Sequence, residues 1–322
     1  MDTLHHLKLE IAGLRLDLCT SSAPVAGFLA DYFRYYSHPE GPAQLSISID
    51  PASPSDFDVP AQAELISQNG VVEFFTTADG KFYLRTDITF FEVHPAEGRA
   101  RGWFRPKALE FHHLLVNTYI YAALVLLLRQ NHIYHLHAAA VLSPSGNMAL
   151  IAGPQRSGKS TLTAAFAASG WKAISDDGLL LSNSPEPGFS AYLRDFHISN
   201  SLMGNWDFFR NAETRYSYLD RSCLDGLSLT GSLEAAKKRY EKVSAVLFPV
   251  VSAEEASRLE PLDPGDAMLY LIEQSMFFAL WQEYANEQVQ ILAAILNGAK
   301  FYRFHSGRDV WSTPGSVAGI LP

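Results

Sequence analysis

The 322-residue sequence predicts an α/β protein, an α/β core preceded by a smaller α+β amino-terminal domain. Three observations carry that expectation. From His132 onward, apolar runs such as "HLHAAAVLS", "MALIAG", "WKAISDD", "GLLLSN" and "VSAVLFPVV" alternate with helix-patterned stretches, as in a largely parallel sheet covered by helices. Before that point, residues 7–106 string β-type runs together through Gly, Pro, Asp and Ser turns. The composition, 48% hydrophobic and 18% charged, is that of an ordinary soluble globular protein, and the length allows two domains.

Taken in order, "LKLEIAGLRLDL", "LSISID", "VVEFFTT" and "KFYLRTDITFFEV" read as strands, with one helical piece over Val25 to Tyr36. This domain, residues 1–107, shows no pattern that carries chemistry. From Leu109 to Gln130 apolar residues fall at helical spacing, and the helix is expected to open the second domain, 108–322, and to pack the two together. Its most apolar part, Tyr119 to Leu128, is about half of the roughly 20 residues that span a bilayer, so a buried helix is expected and no membrane partner. The amino end lacks a basic segment followed by an apolar run and does not read as a signal peptide. "NSPEPG" is a turn or hairpin loop, and a helical region covers Gly265 to Asn297. Within it the aromatic cluster "MFFALWQEY" fits core or a subunit contact, which leaves a homo-oligomer open.

A net charge of −9 and the lack of a basic stripe argue against nucleic acid as a partner, because phosphate backbones are bound by clustered Lys and Arg. Cys19 and Cys223 match no metal or redox spacing, which fits a reducing cytoplasm.

The strongest local signal is the loop Gly153, Pro154, Gln155, Arg156, Ser157, Gly158, Lys159 and Ser160, followed by Thr161, which satisfies G-x-x-x-x-G-K-[ST]. It follows an apolar strand, Met148 to Ala152, and opens a helix ending near Gly170, the context a phosphate-binding loop requires. Backbone N–H groups and the helix N-terminus would hold the phosphates, with Lys159 as a point charge and the Ser160 hydroxyl in a Mg²⁺ shell. ATP and Mg²⁺ are therefore the expected cofactors. The plain alternative, a glycine-rich turn that binds nothing, leaves the matched context unexplained.

Asp176 and Asp177 end the short strand "WKAIS", 17 and 18 residues after Lys159. Strands of a parallel sheet end at one edge, so both acids should face the nucleotide crevice. One carboxylate could attend the metal while the other takes a proton from an attacking hydroxyl. Turn and cap roles for Asp are the ordinary reading, and the nearby loop favours the chemical one.

These segments together, "HLHAAAV…MALIAGPQRSGKSTLTAAFAASGWKAISDDGLLL", resemble the catalytic core of HPr kinase/phosphorylase and HPr-kinase-related proteins over roughly residues 134–182. The resemblance implies a P-loop core of the phosphoenolpyruvate-carboxykinase type and ATP-dependent phosphorylation of a serine hydroxyl. It further implies Asp176 as the base, Asp177 as a Mg²⁺ or orienting group, and His137 near the transferred phosphate. The chain departs from the family where Gln155 and Arg156 replace small residues and a further Gly. It departs again where "YLRDFHISNSLMGNWDFF" stands in place of the Glu-containing E-[IV]-R-G-x-G segment that recognises HPr. HPr is thus not expected as the acceptor, and a protein, a peptide such as a lasso-type precursor, or a small molecule remains.

Four further groups stand out in the sequence. His132, His135 and His137 lack an acid or Cys to complete a zinc shell. The basic run Ala235 to Lys242, with Lys237 to Arg239, reads first as a solvated helix face. Arg194 and His197 are weak acceptor-side candidates, and Arg156 a weak phosphate contact. A hydroxyl kinase is the leading expectation, ahead of a transport or motor ATPase, which lacks its "LSGGQ" and later metal-binding Asp here, and of a nucleotide-binding regulator without turnover.

Overall fold

Ala12 and Gly13 both adopt positive φ (50° and 84°), the requirement of a two-residue hairpin whose twist matches its strands. They join β1 (His5–Ile11) to β2 (Leu14–Thr20). The computed structural model describes residues 3–52, 57–69, 72–210, 212–218 and 220–321, and Val71, at the head of one expected strand, lies outside them. The chain forms two units, Met1–Ile133 and Tyr134–Pro322.

In the first unit α1 (Ala23–Tyr32) starts at Ser22, whose hydroxyl accepts from the Val25 N–H. It is followed by β3 (Leu45–Pro51), β4 (Glu64–Asn69), β5 (Val72–Thr76), β6 (Phe82–Arg85), β7 (Thr89–His94) and β8 (Arg99–Phe104). The strands form one eight-stranded sheet in the order β1-β2-β3-β8-β7-β6-β5-β4. Leu9, Ile11, Leu45, Ile47 and Ile49 are buried while their strand neighbours are not, so this end of the sheet has one dry face and one wet face, whereas successive residues of β6 and β7 are buried.

Residues 106–130 form one continuous helical run, which passes through α2 (His112–Leu114) and a π-helical turn into α3 (Tyr121–Gln130). It is the one run among the described residues long and apolar enough to cross a bilayer, and 67% of its most apolar window is buried inside the protein, as in soluble core helices. α3 packs on β3, β7 and β8, so the run belongs to the first unit and the division falls after Ile133 rather than after residue 107.

Next come β9 (Ile133–Leu136), β10 (Ala138–Leu142), β11 (Met148–Ala152), α4 (Lys159–Ala168), β12 (Lys172–Ser175), β13 (Leu179–Ser182) and β14 (Gly188–Ala191). They are followed by β15 (Phe196–Ser199), α5 (Asn200–Asn205), β16 (Thr214–Tyr218), β17 (Arg221–Leu224), α6 (Leu233–Lys237), β18 (Ala245–Val251) and β19 (Arg258–Pro261). The chain closes with α7 (Pro264–Glu273), α8 (Gln282–Ile295), β20 (Lys300–Ser306) and α9 (Asp309–Ser312).

The main sheet of the second unit has the order β12-β10-β11-β18-β20-β19 and is mixed, not largely parallel. Only β11–β18 and β18–β20 pair parallel. The tight turn over Ser143 to Asn147 makes β10 and β11 an antiparallel hairpin, and β12 pairs antiparallel with β10 on the other side. Opposed by β10 alike, β11 and β12 run in the same direction, so their carboxyl ends still share an edge. β12 passes from Val141↔Ala173 to Ala140↔Ser175 through a bulge at Ile174.

α4 packs on β10, β12 and β15, and a core of Ala139, Val141, Ile151, Leu162, Phe166, Leu247 and Phe304 fills the space around it. Two small three-stranded sheets, β14-β13-β9 and β15-β17-β16, complete the unit, with β13–β14, β15–β17 and β16–β17 paired antiparallel. The aromatic run is not one helix: Phe277 sits at φ 57° between α7 and α8, and Tyr284 is buried edge-on against Trp281.

Candidate active site

The loop between β11 and α4 owes its shape to three residues in unusual backbone conformations: Gly153 (φ 152°), Arg156 (φ 68°) and Gly158 (φ 104°). A Cβ on Gly153 would meet the Ser157 hydroxyl at 3.0 Å, and Gly158 forms the N-cap of α4. Arg156 therefore occupies a conformation that favours glycine.

Lys159, the first residue of α4, is 7% exposed. Its ammonium donates to the carbonyls of Gly153 (2.7 Å) and Pro154 (3.1 Å), which locks the loop around it. Burial lowers its proton affinity, and Asp177 and Asp176 partly restore it.

After β12 the chain turns on Ser175. Its hydroxyl donates to the Gly178 carbonyl (2.8 Å) and accepts from the Gly178 N–H (3.2 Å), a side-chain turn that presents the two aspartates. Their environments differ sharply. Asp176 is 3% exposed, and its Oδ2 accepts from the His197 backbone N–H (3.0 Å) while Oδ1 lies 3.9 Å from Arg194 Nε. Burial pushes its carboxyl up to about 6 despite the opposing Arg194 guanidinium. Asp177 bonds His137 Nε2 through Oδ1 and the Arg194 guanidinium through Oδ2. Burial would raise its carboxyl too, but Arg194 first, then His137 and Lys159, hold it well below the usual range. Two adjacent acids of one chemistry are thereby driven apart, one toward accepting a proton and one toward permanent charge.

A cleft of about 440 Å³ is lined by His137, Gln155, Arg156, Gly158, Lys159, Ser160, Thr161 and Asp177. Gly153 and Pro154 contribute carbonyls to Lys159 instead, Ser157 bridges the loop through its N–H to the Pro154 carbonyl (3.3 Å), and Asp176 is buried without lining the cleft. The same cleft is lined by His197, Ser199, Leu202, Asp220, Arg221 and Val251. Of these the sequence had singled out only His197, because β15 and β17 are four-residue strands whose pairing cannot be read locally. Arg194, held as a weak candidate, is the cation shared by both aspartates.

The other sequence candidates fall elsewhere. Arg239 donates to the Ser182 hydroxyl (2.8 Å) and carbonyl (2.7 Å) and to the Glu186 carbonyl, tying the β13–β14 hairpin; neither it nor Lys237 lines the cleft. His135 is buried and held neutral, its imidazole pushed down to about 3 by burial. Among the described residues no group of three His, Cys, Asp or Glu side chains is arranged to hold a metal. Hard oxygen donors with a bound phosphate are the remaining way to hold one, and Ser160 and Asp177 supply them in one cleft.

No family model matches the chain, and no curated protein matches it either.

Proposed function

We propose that the protein is an ATP-dependent phosphotransferase of the HPr-kinase-related type, moving the γ-phosphoryl of Mg-ATP to a hydroxyl, first of all a serine, of a protein or peptide acceptor in the cytoplasm. The observation that carries this reading is the single cleft in which Lys159, Ser160 and Thr161 of the glycine loop meet the ionised Asp177.

The loop amides and the α4 N-terminus bind the phosphate chain, and Lys159 neutralises charge on it. Ser160 and Asp177 would hold Mg²⁺, which when bound offsets the charge that gathers on the transferring group. Arg194 and His137 fix the Asp177 carboxylate in place. Asp176 has the proton affinity a base needs near neutral pH. As the acceptor oxygen bonds to the γ-phosphorus, its proton passes to Asp176, the bond to the bridging oxygen breaks, and ADP leaves with that electron pair. A second outcome, hydrolysis with water as acceptor, uses the same groups.

Incubation with γ-labelled ATP and an extract of the native host, followed by mass spectrometry of labelled species, tests the reading. A phosphorylated acceptor that disappears with Asp176→Asn supports it; free phosphate alone, formed equally by wild type and Asp176→Asn, overturns it.

A further inference from the structure

The cleft contains a cation that the phosphotransferase reading has not used. Arg221 begins β17, where its backbone is paired on one side with Ser199 of β15 and on the other with Tyr218 of β16. Its position is therefore set by two strands and not by a mobile loop. Its side chain lines the same cleft as Lys159, Ser160 and Asp177. It is near enough for its charge to oppose protonation of Lys159.

Of the carboxylates of the cleft, Asp220 forms no ion pair with it, and the two aspartates after β12 are committed elsewhere. Asp177 is held by His137 and Arg194, and Asp176 by the His197 N–H. The neighbouring Arg215 pairs with Asp195 and Asp225. Arg221 makes no ion pair among the described residues. Holding two like charges, Arg221 and Lys159, beside one another is unfavourable unless an anion joins them, and a guanidinium fork matches phosphate oxygens two at a time. Arg156 also lines the cleft, but it rides on the glycine loop itself. Arg221 comes from a different sheet, so it can meet the phosphate chain from another direction.

We propose that Arg221 is an arginine, supplied in cis, that contacts the γ-phosphoryl group and stabilises the charge spread over its oxygens during transfer. The proposal rests on the phosphotransferase reading. Such an arginine strengthens its contacts as the transition state forms, so its loss should spare ground-state nucleotide binding and remove tight binding of a transition-state mimic.

The test needs no acceptor. Binding of MgADP, with and without aluminium fluoride, is measured by calorimetry for wild type, Arg221→Ala and Arg221→Lys. In the wild type, fluoride should tighten MgADP binding by about 100-fold or more, and in Arg221→Ala this gain should fall below about tenfold. Arg221→Ala should keep its MgADP affinity within about threefold, which also shows that it folds; Arg221→Lys, a charge without the fork, should recover part of the gain. An undiminished gain in Arg221→Ala overturns the proposal, as does no gain in the wild type. Weakened MgADP binding in both variants overturns it too, because Arg221 would then be a ground-state contact. A wild type that binds neither MgATP nor MgADP defeats instead the phosphotransferase reading beneath it.

Discussion

The eight-stranded sheet of the first unit and the six-stranded sheet of the second solve the burial problem differently. β1 buries Leu9 and Ile11 and exposes Lys8 and Glu10, whereas all five residues of β11 are buried. A sheet with one wet face can carry polar groups along the middle of its strands, and a trough of about 310 Å³ over Cys19, Ser46, Ser48, Arg99 and Arg101 is the result. β11, buried along its whole length, has no polar position except beyond its ends. The glycine loop and the two aspartates follow the ends of β11 and β12 in the six-stranded sheet, and Arg221 begins β17 of a separate three-stranded sheet.

The sharpest way to break this contrast is a pair of cation removals. Lys159→Ala should lower phosphoryl transfer by about 10³-fold and weaken MgATP binding, since the charge lies at the phosphates. Arg101→Ala, on the wet face of the first sheet, should leave both unchanged in the same radiometric assay. Equal losses would mean that the trough takes part in the chemistry.

Asp176→Asn should cost transfer about 10²- to 10⁴-fold with MgATP affinity retained, and Asp177→Asn should weaken the Mg²⁺ dependence instead. The wild-type rate should rise with pH through about 6, as Asp176 loses its proton. Stability should move in the opposite sense. The folded carboxyl binds its proton more tightly than the unfolded one, so its contribution is full below the unfolded value near 3.8 and is lost as pH rises through about 6. Melting curves of Asp176→Asn should lack that decline, and an identical pH dependence in both proteins would contradict the assigned environment.

Packing should differ as the chemistry does. Ile151→Ala, in the doubly buried β11, should cost about 2–5 kcal/mol in urea unfolding, against about 0.5 kcal/mol or less for Lys8→Ala. On the dry face of the first sheet, Gly102→Ala should cost about 1–3 kcal/mol, because its Cβ would fall 2.4 Å from the Phe91 ring. The smallest effect is expected at the loop crest. Arg156→Gly relieves a left-handed arginine worth about 1 kcal/mol of strain, and a slight rise in melting temperature should accompany any weaker MgATP binding.

What could be read from the chain follows the same divide. The hairpin at Ala12 and Gly13, and the strands of "KFYLRTDITFFEV", announce themselves through alternation and turn residues. β8 ("RARGWF") does not, because arginines and a glycine occupy its wet and crowded positions. The glycine loop and the spacing to Asp176 and Asp177 are local patterns and are plain in the sequence. Strand direction is not local: the expected parallel sheet becomes mixed because β10 turns back at Gly146, and Arg221 joins the cleft only through pairing with β15, more than twenty residues upstream. Nor could the letters "DD" tell one aspartate's surroundings from the other's.

The bulge at Ile174 bears on that last point. Successive side chains of a strand point to opposite sides, so one surplus residue inverts the phase of everything after it. With an unbroken ladder, Ala140 would face Ile174 in place of Ser175, and the turn that follows would present its acids one step out of phase. The division of labour between a buried acid and a charged one is thus a matter of counting. It is written in the main chain two residues before Asp176, where Ile174 is the surplus residue that brings Ser175 opposite Ala140.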